Sequence, residues 1–164
     1  MASMDEITPI LDEFTRAYAR LTGRGGMRGI LLIDQDAKVI AKNSMFCLKK
    51  PWDMGGIGAA LYGVSKQASL YFNSAGMERI SIVFDNLKFF VKCIGKVPLD
   101  DGKPSREVLF VILSEKHVKE GLVIIQMRKF APKILEAIHK SSGTTKLLGL
   151  DERSVKSYLL GLGA

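Results

Sequence analysis

The chain has 164 residues, 47% of them hydrophobic, and 24 basic against 17 acidic side chains give it a net charge of +7. That is one domain's worth of sequence with enough apolar residues for a core, which excludes a wholly disordered chain. The basic excess permits an acidic partner, nucleic acid or an anionic membrane surface without requiring any of them. No apolar run approaches the ~20 residues that span a bilayer, and the region around Asp5 and Glu6 lacks the apolar stretch of a secretory signal. Cys47 and Cys93 have no metal-ligand spacing, so free thiols and a cytoplasmic location are expected.

The first helix is expected to start at Thr8-Pro9, with Thr8 as N-cap and proline at the first helical position. Ile7, Ile10, Leu11, Phe14, Ala17, Tyr18 and Leu21 then share one face, and Gly23 ends the helix. Residues 29–33, a turn at 34–37 and residues 38–41 read as a β-hairpin. Ser44 to Pro51 reads as a loop, after which Asp53 is expected to cap a glycine-rich helix that stops near Gly76. A second hairpin follows, with strands over Arg79–Phe84 and Lys88–Ile94 around a tight turn at Asp85-Asn86. After a polar loop, Val108–Leu113 reads as the last strand and Val118 to His139 as a long helix that Pro132 should kink or break. Beyond Lys140 the composition suggests a linker, then a short helix capped by Asp151. The domain is therefore placed at residues 7–139, with the tail at 140–164.

Three strands (Ile30–Ile33, Ile80–Phe84 and Val108–Leu113) are nearly continuous in apolar residues, the pattern of a sheet covered on both faces. With three long helices available, this predicts an α/β (α+β) fold: a three-layer α/β/α sandwich around an antiparallel sheet.

The glycine-rich helix invites comparison with a phosphate cradle. Gly58 and Gly63 have P-loop spacing, but Val64 stands where the lysine belongs and no strand feeds the segment. The dinucleotide pattern fails because Leu61 occupies the third glycine position. Ser65 is followed by Lys66, so there is no nucleophile elbow. His117 and His139 lack metal-ligand companions, and the acidic residues fall at turns and helix starts. No catalytic, cofactor-binding or metal-binding residue is assigned. Lys88, Lys92 and Lys96 alternate along one strand and are expected to share one of its faces, with Phe89 and Phe90 between them, which would suit nucleic-acid stacking, but lysines also guard strand edges. On the helix, Ile57, Leu61, Val64, Ala68 and Tyr71 form one stripe expected to pack on the sheet. Ala59, Tyr62, Gly63, Lys66, Leu70 and Asn73 form a second stripe, small at its start, which would let another backbone approach closely.

Taken in order, Arg28–Asp34 with Val39-Ile40, the helix around Gly58-Ala-Ala-Leu61, the Ile80–Phe84 strand and the helix over Lys119–Lys129 resemble the Roadblock / dynein light chain family, including its MglB-like prokaryotic or archaeal branch. The resemblance covers about Ile7 to His139. It implies a profilin- or longin-like five-stranded antiparallel sheet in the order 2-1-5-4-3, with element order αββαβββα. It also implies a non-enzymatic homodimer that binds a small Ras-like GTPase, regulating its hydrolysis or localisation, or serves as a scaffold. In that reading Ala59, Gly63, Arg79, Ile80, Ser81, Ile82 and Val83 form the dimer interface. Tyr62, Lys66 and Leu70 face the partner. Two alternatives stand beside it. One is a profilin- or PAS-like module sensing a small ligand in a cavity lined by Phe84, Phe90 and Phe110. The other is a nucleic-acid-binding module using the Lys88–Lys96 face, which is the less favoured.

Overall fold

The computed structural model describes residues 2–99, 102–141 and 147–150. The chain runs α1 (Ala2–Thr22), β1 (Met27–Asp34), β2 (Val39–Lys42), α2 (Pro51–Tyr71), β3 (Ile80–Val83), β4 (Leu87–Val97), β5 (Arg106–Glu115) and α3 (Glu120–Lys140). The five strands form one antiparallel sheet in the order β2-β1-β5-β4-β3. Fold class, element order and strand order all agree with the expectation.

The sheet is covered on both sides, and side-chain alternation sorts the core into two halves. Ile30 and Leu32 of β1 with Phe110 and Ile112 of β5 face α1 and α3, meeting Phe14, Phe130 and Ile134. Leu31 and Ile33 with Leu109 and Val111 point the other way, toward Met54 and Tyr62 of α2. This two-sided burial explains the continuous apolar runs in β1 and β5. β3 does not share it. Ile80 and Ile82 are half-buried while Ser81 and Val83 are exposed. The strand lies at the sheet edge and, among the described residues, pairs only with β4.

Several helix ends differ from the sequence expectation. α1 begins at Ala2, so Pro9 lies inside it and Thr8 is no cap. The Thr8 hydroxyl instead donates to the Lys42 carbonyl at 2.9 Å, tying α1 to β2. Gly23 ends the helix as expected, at φ +70, with its N–H on the Ala19 carbonyl at 2.8 Å. α2 starts at Pro51 with Lys50 as N-cap and no side-chain cap, so Asp53 is not the cap. Asp53 sits in the first turn, where its charge still suits the helix dipole. α2 ends at Tyr71 rather than near Gly76. Pro132 does not break α3, which is one continuous helix. Its ring lies on the exposed side, so the lost backbone bond is that of a solvent-facing carbonyl.

β4 carries an irregularity between Cys93 and Gly95. Up to that point the strand alternates, with Cys93 on the α2 side and Ile94 on the α1/α3 side, but Val97 then also joins the α1/α3 side, where strict alternation would have put it opposite. Lys88 and Lys92 pair with Ser114 and Phe110, but Lys96 pairs with Glu107 beyond the shift. The three lysines consequently do not share a face.

The residues proposed for the C-terminal helix, from Asp151 onward, lie outside the described residues. Residues 147–150 pack on the domain, with Leu148 buried among the α1/α3-side residues. Lys38, itself buried, donates its ammonium to the Leu148 carbonyl at 2.7 Å and to that of Leu150 at 2.6 Å.

Candidate functional site

α2 carries the features that distinguish this chain, and its two faces are now separable. Toward the sheet it presents Met54, Gly55, Gly58 and Tyr62, all buried. A Cβ added at Gly58 would lie 3.0 Å from Val111 Cγ2, and one at Gly55 would lie 3.2 Å from Ile33 Cγ2. These two glycines let the helix backbone settle on β-branched side chains of the sheet. A methyl added at Gly56 or Gly63 would meet nothing within 4 Å, and both glycines face outward. The helix glycines thus divide into a pair that serves the sheet and a pair that leaves the outer surface flat.

The expected stripe assignment is reversed at this point. Ile57 (57% exposed), Val64 (70%) and Tyr71 (84%) do not pack on the sheet. Only Leu61 of that stripe is packed against the sheet-side cluster, with Ala68 half-buried. Tyr62, expected to face a partner, is buried instead. Its hydroxyl donates to Glu107 Oε1 at 3.1 Å. Burial pushes the Tyr62 phenol up, and the neighbouring Cys93 thiol and Glu107 carboxylate add to the effect, so the group stays a donor. Lys66 donates to both oxygens of the same carboxylate, at 2.8 and 2.9 Å, while its side chain remains half-exposed. Periodicity could not separate the faces because α2 is apolar on both. The pointer was the i, i+3 pair Gly55 and Gly58 followed by Tyr62, which matches the needs of a helix lying against valine and isoleucine.

The outer face of α2 therefore combines small residues (Gly56, Ala60, Gly63) with exposed Ile57, Val64, Leu70, Tyr71 and Phe72. At the sheet edge Val83 and Phe84 are also exposed. Arg79 fixes the entry to β3 by donating to Glu120 Oε1 at 2.7 Å, and Ser81 donates to the other oxygen of Glu120 at 3.2 Å. The Glu120 hydrogen bond holds the Arg79 guanidinium above its ordinary pKa. Ala59 is half-buried against its own sheet, Gly63 and Leu70 are exposed, and Ile80 and Ile82 pack inward on the α2 side. An unpaired strand edge beside an apolar helix face can take another protein surface.

The alternatives fare differently. Phe90 and Phe110 are fully buried in the α1/α3-side core, with the Phe14 ring tilted against that of Phe110 at a centroid distance of 5.0 Å, whereas Phe84 is exposed on the second hairpin. The three rings do not line one cavity. Phe89 and Phe90 are both buried and so are closed to base stacking, and Lys88 is turned onto the Val118 carbonyl at 2.8 Å. His117 contacts the Gly25 carbonyl at 3.0 Å, and His139 lies in the last turn of α3. Among the described residues no three His, Cys, Asp or Glu side chains converge as a metal site, and no helix is long and apolar enough to cross a membrane.

No family model matches the sequence, and no curated protein matches it. Solved structures do. A Roadblock/LC7 domain from Streptomyces avermitilis is similar at TM-score 0.59 and 14% identity, covering 78% of this chain and 97% of its own. The gliding protein MglB from Thermus thermophilus is similar at TM-score 0.62 and 16% identity, over 86% of this chain and 94% of its own. MglB with a tetrameric arrangement is similar at TM-score 0.62 and 17% identity, over 84% and 90%. The strand order and element order above are those of the Roadblock/LC7 α/β fold, and this chain has that fold.

Proposed function

We propose that this chain is a non-enzymatic, cytoplasmic homodimer of the MglB-like kind that binds a small Ras-like GTPase and alters its GTP hydrolysis or localisation. The observation that carries the reading is the exposed apolar face of α2 beside the unpaired edge of β3, in a Roadblock/LC7 fold. A two-fold axis along that edge would pair β3 with its own copy and continue the sheet across both subunits. The small residues at Gly56, Ala60 and Gly63 would let the α2 helices approach closely, and Arg79–Val83 would form the strand seam. Similarity to an MglB with a tetrameric arrangement supports self-association. Lys66 and Leu70 are the side chains left to meet the GTPase, and Tyr62 is withdrawn from that role by its burial.

The experiment mixes the protein with each small GTPase of the same genome and measures binding and GTP turnover. Binding of one GTPase in its GTP-loaded form, weakened by Leu70→Ser, is the expected result. Binding without a change in turnover would leave the scaffold form of the proposal. The absence of binding to every one of them would overturn it.

A further inference from the structure

The loop joining β2 to α2 carries a second exposed apolar group. Met45 is 85% exposed, Leu48 42% and Trp52 60%. Internal bonds pin this loop. Phe46 folds inward over Gly29, where an added Cβ would meet its ring at 2.8 Å. The Cys47 N–H donates to the Arg28 carbonyl at 3.0 Å. Asp12 accepts from the Ser44 N–H at 2.8 Å and from its hydroxyl at 2.5 Å. With Phe46 held inward, its apolar neighbours Met45 and Leu48 are left outside.

Lysines surround these tips. Lys42, Lys49 and Lys50 are exposed, and none is ion-paired among the described residues. Lys49 and Lys50 immediately precede α2, at the helix end whose dipole repels cations, and Lys50 holds the N-cap without a side-chain hydrogen bond. From Lys42 to Asp53, only Asp53 itself is acidic. Cations against a helix N-terminus, beside exposed tryptophan and methionine, contradict local stability rules, as sequences do where a partner offsets the cost.

We propose that the β2–α2 loop and the first turn of α2 dock on an anionic lipid surface. Met45, Leu48 and Trp52 enter the boundary between headgroups and acyl chains, and Lys42, Lys49 and Lys50 meet the lipid phosphates. Exposed apolar tips flanked by exposed lysines suit a fluid surface that opens its own cavity, whereas a protein partner would have to supply one. Tryptophan is at home at that depth. β2 lies at the opposite sheet edge from β3, so the loop does not compete for the β3 edge, and the proposal does not depend on the GTPase reading. Trp52, four residues before Gly56, marks where this surface meets the N-terminal end of the outer face of α2.

The chain's single tryptophan is Trp52, so its fluorescence reports the site directly. The full chain is titrated with vesicles of phosphatidylcholine alone and with vesicles containing phosphatidylserine. A blue shift with the anionic vesicles only, reversed by high salt, is expected. Neutralising both flanking lysines (Lys49→Gln with Lys50→Gln) should weaken it roughly thirty-fold, and Met45→Ser with Leu48→Ser should abolish it with circular dichroism unchanged. No shift at low salt, or an equal shift in the lysine variant, would overturn the proposal. So would an equal blue shift with vesicles of phosphatidylcholine alone.

Discussion

Gly58 and Gly63 share a helix but not an environment. At Gly58 a methyl would press on Val111 at 3.0 Å, whereas at Gly63 it would meet nothing within 4 Å. Alanine gains about 1 kcal/mol over glycine in a helix interior, and overpacking costs about 1–3 kcal/mol. Gly58→Ala should therefore be neutral to destabilising, and Gly63→Ala stabilising, when urea midpoints are compared at a protein concentration low enough to keep the chain a monomer, so that no dimer contact bears on Gly63. The reverse ranking would contradict the division of the helix into two faces. Tyr62 gives a pH-dependent test. Its folded pKa is raised, so its contribution is fully present below the unfolded value of about 10 and is lost as pH rises beyond it. Tyr62→Phe should be less stable than the parent near neutrality, by about 1 kcal/mol for the lost hydrogen bond, and should lose less stability between pH 9 and 11. Parallel losses over that range would contradict the buried-donor assignment.

The sequence showed that Gly58 and Gly63 needed a reason, but not that the reasons differed. That distinction depends on helix rotation about its axis, and apolar side chains on both faces of α2 leave rotation undetermined until the sheet is present. Asp34 was legible only as a turn residue. Its carboxylate is fully buried and accepts from the Asp36 and Lys38 N–H groups at 2.9 Å each, while Arg106 donates to it at 3.1 Å from β5. The arginine comes from far along the chain, so no local pattern could announce the pairing.

Elements were more legible than residues. Both hairpins, the three helices and the two-sided burial of β1 and β5 follow from apolar runs and turn residues. Helix starts were not, because proline is compatible with a first turn and also with an interior position whose lost bond faces water. Pro132→Ala restores a backbone donor on the exposed side of α3 and should raise stability by about 1–3 kcal/mol, read as a higher melting temperature. A lowered one would mean that Pro132 shapes the helix in a way its neighbours require. The Lys96 placement failed for a related reason. One extra residue in β4 shifts every later side chain to the other face, and Gly95, at φ +147 beneath Leu135 of α3, marks the site. β3 tests the edge argument. Val83 is exposed, so Val83→Lys should leave the fold intact while placing like charges on the strand edge. A loss of self-association with an unchanged circular dichroism spectrum is expected.

At the scale of the molecule, two sheet edges carry two different surfaces. The β3 edge and the outer face of α2 expose apolar side chains and are the surface proposed above for a second copy and a GTPase. The loop beyond the β2 edge is apolar and basic, suited to a charged surface. The fold itself was legible because burial on both sides of a sheet is written in residue type along β1 and β5. The GTPase reading rests on a resemblance that the fold supports, and its detail depends on which side chains of α2 reach solvent. The most direct measurement is light scattering on this chain mixed with each GTP-loaded small GTPase of the same genome. The account predicts a complex whose mass equals two copies of the chain plus bound GTPase, and two copies for the chain alone. A single-copy mass at micromolar concentration, with no added mass in any mixture, would contradict it.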